Sequence, residues 1–191
     1  MIQFTALDLA LAWAVDALLG DPRFLSRIHP VVLTGNLVSF LEKILYGGES
    51  SARSRFLRGT LLWLLTVGTV LALSLGILFI CAKIHPLLGR FACVYLAWTT
   101  IATRDLAAHV GRVAASLERG DLGGARRELS MIVGRDTENL PEGEVLRGAF
   151  ETAAENSSDG IVAPLFYLAL GGAFGLGPAL GLAYKAVNTL D

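Results

Sequence analysis

Leu61–Ile84, LLWLLTVGTVLALSLGILFICAKI, decides the fold. It stays apolar up to Lys83 and exceeds the ~20 residues that an α-helix needs to cross the hydrocarbon of a bilayer. Three more apolar runs surround it, at Phe4–Leu19, Phe91–Ala102 and Ile161–Val187. Of the 191 residues, 53% are hydrophobic and 17% charged, against roughly 25% charged in a soluble domain. These features predict an all-α, polytopic membrane protein, a single integral-membrane domain over 1–191 with amphipathic helices beside it. Phe4–Leu19 carries Asp8 and Asp16 and lacks a basic leader region, so it is expected to stay as a helix and not to be cleaved.

The cations orient the chain. Six of the 16 Lys and Arg lie between the first two apolar runs, and seven more between Arg104 and Arg147. Only Lys83 and Arg90 fall in the turn between the second and third runs. By the positive-inside rule the segments at about 20–60 and 104–160 are expected to be cytoplasmic, with the N-terminus outside an inner cell membrane. Cys81 and Cys93 lack metal-site spacing and are expected to be two small buried hydrophobes.

Between the spans the periodicity is amphipathic. Val32, Leu33, Leu37, Phe40, Leu41 and Ile44 recur at helical spacing. Leu106, Val110, Val113 and Leu117 form a second stripe, which Gly120 ends. Asp121 then suits the N-cap of a helix striped by Leu122, Ala125, Leu129 and Ile132. Pro141 suits the first turn of a helix running to about Asn156, with Glu144, Arg147, Glu151 and Glu155 on one face, of which the first three read as solvated. Gly171-Gly172 and Gly175-x-Gly177-Pro178 break the last apolar run into halves too short to cross alone. Either one kinked span or a re-entrant pair satisfies this. The re-entrant pair gathers the polar clusters and is preferred.

Those clusters are Gly134–Asn139, Glu155–Gly160 and Tyr184–Asp191. Charged and amide groups beside lipid-compatible segments are costly unless they face water, each other or a ligand. In the first, Arg135, Asp136, Thr137, Glu138 and Asn139 could hold a magnesium-bound phosphate, the oxygens ligating the ion and Arg135 pairing with phosphoryl oxygens. An ordinary capping loop, in which Asp136 and Thr137 bond free helix-end amides, is the commoner use of such a sequence. In the second, Glu155 and Asp159 are adjacent carboxylates that ask for a cation, with Asn156 between them. In the third, Tyr184, Lys185, Asn188 and Asp191 recur at helical spacing. His29 in its Ile-His-Pro-Val turn is a weaker candidate for binding; His85 and His109 lack partners and receive no chemistry. There is no Walker loop, dinucleotide fingerprint, Ser-His-Asp order or zinc pattern, and no nucleic-acid surface.

In this order the clusters resemble the adenosylcobinamide-phosphate synthases of cobalamin (vitamin B12) biosynthesis, the CobD or CbiB family. The resemblance takes in Asp16-x-x-x-Gly20-Asp21-Pro22, His29-Pro30-Val31, Leu41-Glu42-Lys43, Gly120-Asp121-Leu122, Ala125-Arg126 and Ile132–Thr137. It continues through Glu151-x-x-x-Glu155-Asn156-x-x-Asp159-Gly160, Ala163–Tyr167, Gly171-Gly172 and Tyr184–Asp191. Each string is weak alone, but their joint order is specific. Family members run on past Asn-Thr-Leu-Asp with more membrane helices, so the resemblance implies a chain incomplete at its C-terminus.

The resemblance implies an ATP-dependent, amide ligase-like enzyme. It would attach aminopropanol, or its phosphate, to a propionate of (adenosyl)cobyric acid, giving cobinamide or its phosphate. A carboxylate and an ammonium do not condense unaided in water, so ATP and Mg2+ are expected cofactors. Arg135, Asp136, Glu155, Asp159 and Lys185 are then the catalytic candidates, with Asp136, Glu155 and Asp159 as metal ligands. His29, Thr137, Glu138, Asn139, Asn156, Tyr184, Asn188 and Asp191 are the substrate-binding candidates. Expected partners are the corrinoid, the amine, the lipid bilayer and other membrane enzymes of the corrinoid pathway. A non-catalytic AmpE-like membrane sensor is the alternative. A transporter ranks behind both, because no inverted repeat is found.

Overall fold

A computed structural model describes residues 3–22, 27–46 and 51–190. Among the described residues it is all-helical, with no strand. The helices are α1 (Ala6–Leu19), α2 (Pro30–Leu45), α3 (Ala52–Ile84), α4 (Pro86–Trp98), α5 (Thr103–Glu118), α6 (Leu122–Ser130), α7 (Glu142–Ser157), α8 (Ala163–Ala173) and α9 (Pro178–Asn188). A π-turn, Ser158–Val162, joins α7 to α8 without a break.

Local chemistry sets most boundaries. Thr5 and Asp8 make a reciprocal capping box at the start of α1. Pro30, Pro86 and Pro178 open α2, α4 and α9, where a missing N–H costs nothing. Asp121 caps α6 through the N–H of Gly124 at 2.7 Å, as its position predicts. Pro86 also explains why α4 starts ahead of the apolar run at Phe91.

Helix α3, with 33 residues and a length of about 50 Å, is the one helix among the described residues long and apolar enough to cross a membrane. Helices α1, α4, α8 and α9, at 14, 13, 11 and 11 residues, fall short of the ~20 needed. Among the described residues one apolar run thus forms a helix of spanning length, with α4 and α9 packed along it, α1 against α4 and α8 against α9. Prolines at Pro86 and Pro178 and the glycines after Leu170 are what shorten them.

Two cores result. One draws Phe4 and Ala12 beside Leu78, Leu96, Trp98, Leu168 and Leu182, uniting α1, α3, α4, α8 and α9. The other draws Val113, Ala125 and Leu129 from the stripes that the periodicity predicts on α5 and α6, and adds Val145 and Ala149 from α7.

The last apolar run folds back on itself. A methyl group at Gly171 would run into the carbonyl oxygen of Gly177, so only glycine allows α8 and α9 to approach this closely. Gly175 and Gly177 turn the chain with φ of 72° and 53°. The turn lies against Phe4, and α9 runs back to Asp159. A helical hairpin, not a single kinked helix, is the result.

Candidate functional site

The π-turn places Asp159 opposite the last turns of α9. Asn188 Nδ2 donates to Asp159 Oδ2 at 3.1 Å, and Lys185 Nζ donates to the Asp159 carbonyl at 3.4 Å. The Tyr184 hydroxyl donates to the same carbonyl at 3.5 Å, while its ring stacks on Tyr167 with centroids 4.8 Å apart. Helical spacing puts Tyr184, Lys185 and Asn188 on one face, and the hairpin aims that face at Asp159.

Lys185 is half-buried, and its ammonium is poorly compensated. Its second partner is the neutral Asn188 Oδ1, at 3.5 Å. Among the described residues no carboxylate forms an ion pair with it. Burial pushes the ammonium below its ordinary range, and the more distant charges of Asp159 and Asp21 pull it partly back.

Two neighbouring cavities flank α7 with Ile132, Thr152 and Asn156 in the walls of both, and together they make up the candidate cleft. The larger, about 380 Å³, is lined by Arg135, Gly148, Glu151 and Glu155. The smaller, about 240 Å³, is lined by Asp105, His109, Gly160 and Lys185. Arg135 lies across α7, where any side chain at Gly148 would meet Nη2 at 2.7 Å. Glu151 accepts from Arg147 at 2.8 Å and from Arg135 at 3.3 Å. Arg147 foremost, and Arg135 after it, hold this exposed carboxyl below the usual glutamate range.

The remaining candidates fall elsewhere. Asp136 Oδ1 accepts the N–H of Glu138 at 2.9 Å, closing a turn of the loop. Thr137 is buried and donates to the Arg126 carbonyl at 2.9 Å. Both are structural bonds of the loop, and Asp136, Glu138 and Asn139 stay exposed outside the walls of the cleft. Asn156 lines both cavities with its amide donating to the Thr152 carbonyl at 3.0 Å. His29 is buried with Nε2 at 3.3 Å from Asp21 Oδ1, one step behind the cleft, since the Asp21 N–H binds Asp105 Oδ2 at 3.1 Å. Tyr184 and Asn188 also border an apolar hollow with Trp63 and Val187. Asp191 lies outside the described residues.

Among the described residues no three His, Cys, Asp or Glu gather into a metal-holding group, so Asp136, Glu155 and Asp159 do not form one. Magnesium is commonly held by one or two carboxylates together with substrate phosphates. The cleft offers Glu155 as a carboxylate that could share such an ion with a phosphate, and it does not fit an all-protein cage. Asp105 and His109 are the lining residues that sequence reasoning passed over. Their i, i+4 spacing puts them on one face of α5, but their partners come from α7 and α9.

The family described as CobD/Cbib protein matches residues 9–191. Cobalamin biosynthesis protein CobD of Geobacter metallireducens is 49% identical over 177 residues, covering 93% of this chain and 52% of the relative. CobD of Pelobacter propionicus is 44% identical over 191 residues, covering 100% of this chain and 56% of the relative. Cobalamin biosynthesis protein CbiB of Salmonella typhimurium is 40% identical over 187 residues, covering 98% and 56%. The chain thus spans about half the length of the curated relatives it matches. No solved structure matches it.

Proposed function

This chain belongs to the CobD/CbiB family of cobalamin biosynthesis proteins, and on that premise we propose that its cleft forms the amide bond of cobinamide or its phosphate. The amine is aminopropanol or its phosphate, and the acid is a propionate of cobyric acid. The observation that supports this most is the meeting of Asp159, Lys185 and Asn188 beside a cleft walled by Arg135 and Glu155.

Amide formation must remove one carboxylate oxygen. ATP with Mg2+ would supply the chemistry that turns this oxygen into a leaving group, so that it departs as phosphate when the amine attacks the carbonyl carbon. The side chains have separable tasks. Lys185 and Arg135 hold oxyanions, the former where burial strengthens the interaction. Glu155 would help to hold a magnesium ion brought in on a phosphate. Asp159, oriented by Asn188, takes the proton that the amine loses. Asn156 orients substrate from the shared wall of the cleft. Asp136 and Thr137 act on the shape of the loop that carries Arg135.

The same reading puts the protein in an inner membrane as a multi-pass bundle, with the cleft on the cytoplasmic side. Exposed Phe56, Leu64, Leu73, Phe79 and Ile80 on α3 fit lipid or helix contact. Asp8 with Arg90 and Asp159 with Lys185 mark opposite polar ends of the bundle. The test is the full-length protein in detergent with cobyric acid, the amine and MgATP. A new corrinoid of the mass of the amide, dependent on nucleotide, is expected. Corrinoid binding without product would replace the enzyme with a sensor or carrier.

A further inference from the structure

His109 shares the smaller cavity with Lys185, and its ring is held in one tautomer. Arg112 Nη2 lies 2.6 Å from His109 Nδ1. A guanidinium has no acceptor, so Nδ1 accepts and the ring proton belongs on Nε2. Arg112 is itself fixed, since its Nε donates to Glu128 Oε2 at 2.8 Å. The imidazole therefore keeps one uncommitted donor, Nε2–H.

Lys185 lines the same cavity, its ammonium bonded only to neutral oxygens at 3.4 and 3.5 Å. The one carboxylate in the wall, Asp105, has Oδ2 taken by the Asp21 N–H. A partly buried cation with no carboxylate in ion-pair contact is costly, the more distant Asp159 and Asp21 offset only part of that cost, and His109 with its fixed donor lines the same space. The cavity of about 240 Å³ has room for a compact anionic group and not for a macrocycle.

We propose that this cavity is an oxyanion subsite, in which Lys185 Nζ and His109 Nε2–H together hold a phosphoryl or carboxylate group of the substrates. The assignment rests on the amide-forming reading of the same cleft and adds to it a binding residue and a ligand class. Arg112 and Glu128 are positioning residues, acting through the tautomer of His109.

The test uses the full-length protein in detergent and two probes, inorganic phosphate and propionate, titrated separately by calorimetry. Binding of phosphate assigns the subsite to a phosphoryl group, and binding of propionate assigns it to the acid. His109→Ala and Lys185→Met should each weaken the bound probe by about tenfold or more, as expected for a lost hydrogen bond to a charged group. His109→Gln, which keeps an N–H donor, should stay within about threefold of wild type. Failure of both probes to bind, or unchanged binding in His109→Ala, overturns the subsite. Probe binding that behaves as expected without amide product removes the proposed reaction and leaves the subsite. Product formation with unaltered substrate KM in His109→Ala does the reverse.

Discussion

Asp16 Oδ2 accepts the backbone N–H of Thr103 at 2.8 Å, so a carboxylate at the end of α1 caps the helix that carries Asp105 and His109. The N-cap of α5, Ala102, has no side chain able to do this. Arg104 returns the bond by donating to the carbonyls of Ala17 and Leu18, which α1 leaves free at its end. The bundle around α3 and the α5–α7 unit are joined through these reciprocal caps. Asp16 is 0% exposed, so water cannot replace it. Asp16→Ala should cost about 1–2 kcal/mol and speed amide exchange at Thr103 about tenfold. Asp16→Asn, which keeps an acceptor, should be milder; exchange mass spectrometry compares the two.

Lys185 is a costly residue to bury, and the proposed reaction gives that cost a purpose. Its ammonium is depressed by burial, so the unfolded chain holds that proton more tightly than the folded one. Stability from this group accordingly rises with pH between its folded pKa and the unfolded value of about 10.4. Lys185→Met should remove that alkaline rise and melt no lower than wild type near neutrality. Turnover should fall by about a hundredfold or more, the scale of a lost oxyanion partner. Melting curves across pH, beside the amide assay, measure both.

Asp136 separates loop shape from chemistry. Its Oδ1 closes a turn onto Glu138, and asparagine can make the same bond. Asp136→Asn should keep activity within about threefold of wild type, while Asp136→Ala loosens the loop and costs about 1 kcal/mol. A collapse of turnover in Asp136→Asn with an unchanged melting temperature would place the carboxylate in the reaction.

The hairpin fixes the side on which α9 ends. Asn188 contacts Asp159, and both belong with the cytoplasmic residues in the proposed topology. In a background with Cys81 and Cys93 replaced by Ala, Asn188→Cys should react with an impermeant maleimide only from the cytoplasmic side. Labelling from outside would require α9 to leave the hairpin. Gly171→Ala should destabilise the protein by about 1–3 kcal/mol, because the added methyl meets backbone that has nowhere to move.

Much of this architecture is visible in the residues. The apolar length of Leu61–Ile84 specifies α3, and the stripes at Val113, Ala125 and Leu129 specify how α5 and α6 pack. Glycines between Gly171 and Gly177 announce the fold-back, although only the close approach of Gly171 to Gly177 separates a hairpin from a kink. The site is less visible, for a physical reason. A loop such as Arg135–Asn139 offers the same groups whether it binds a ligand or caps helices, and the direction of Asp136 decides. The π-turn at Asp159 follows from helix register and carries no residue signature. His109 gains meaning only once Arg112 fixes its ring and α9 brings Lys185 to the same cavity.

The most direct measurement is the rate of amide formation from cobyric acid, amine and MgATP by full-length wild type, Glu155→Ala and Lys185→Met, with corrinoid binding followed in parallel. The expected result is nucleotide-dependent product from wild type, with loss of about a hundredfold in both variants and corrinoid still bound. Wild-type turnover in both variants would contradict the placement of the chemistry in the cleft between α5, α7 and α9.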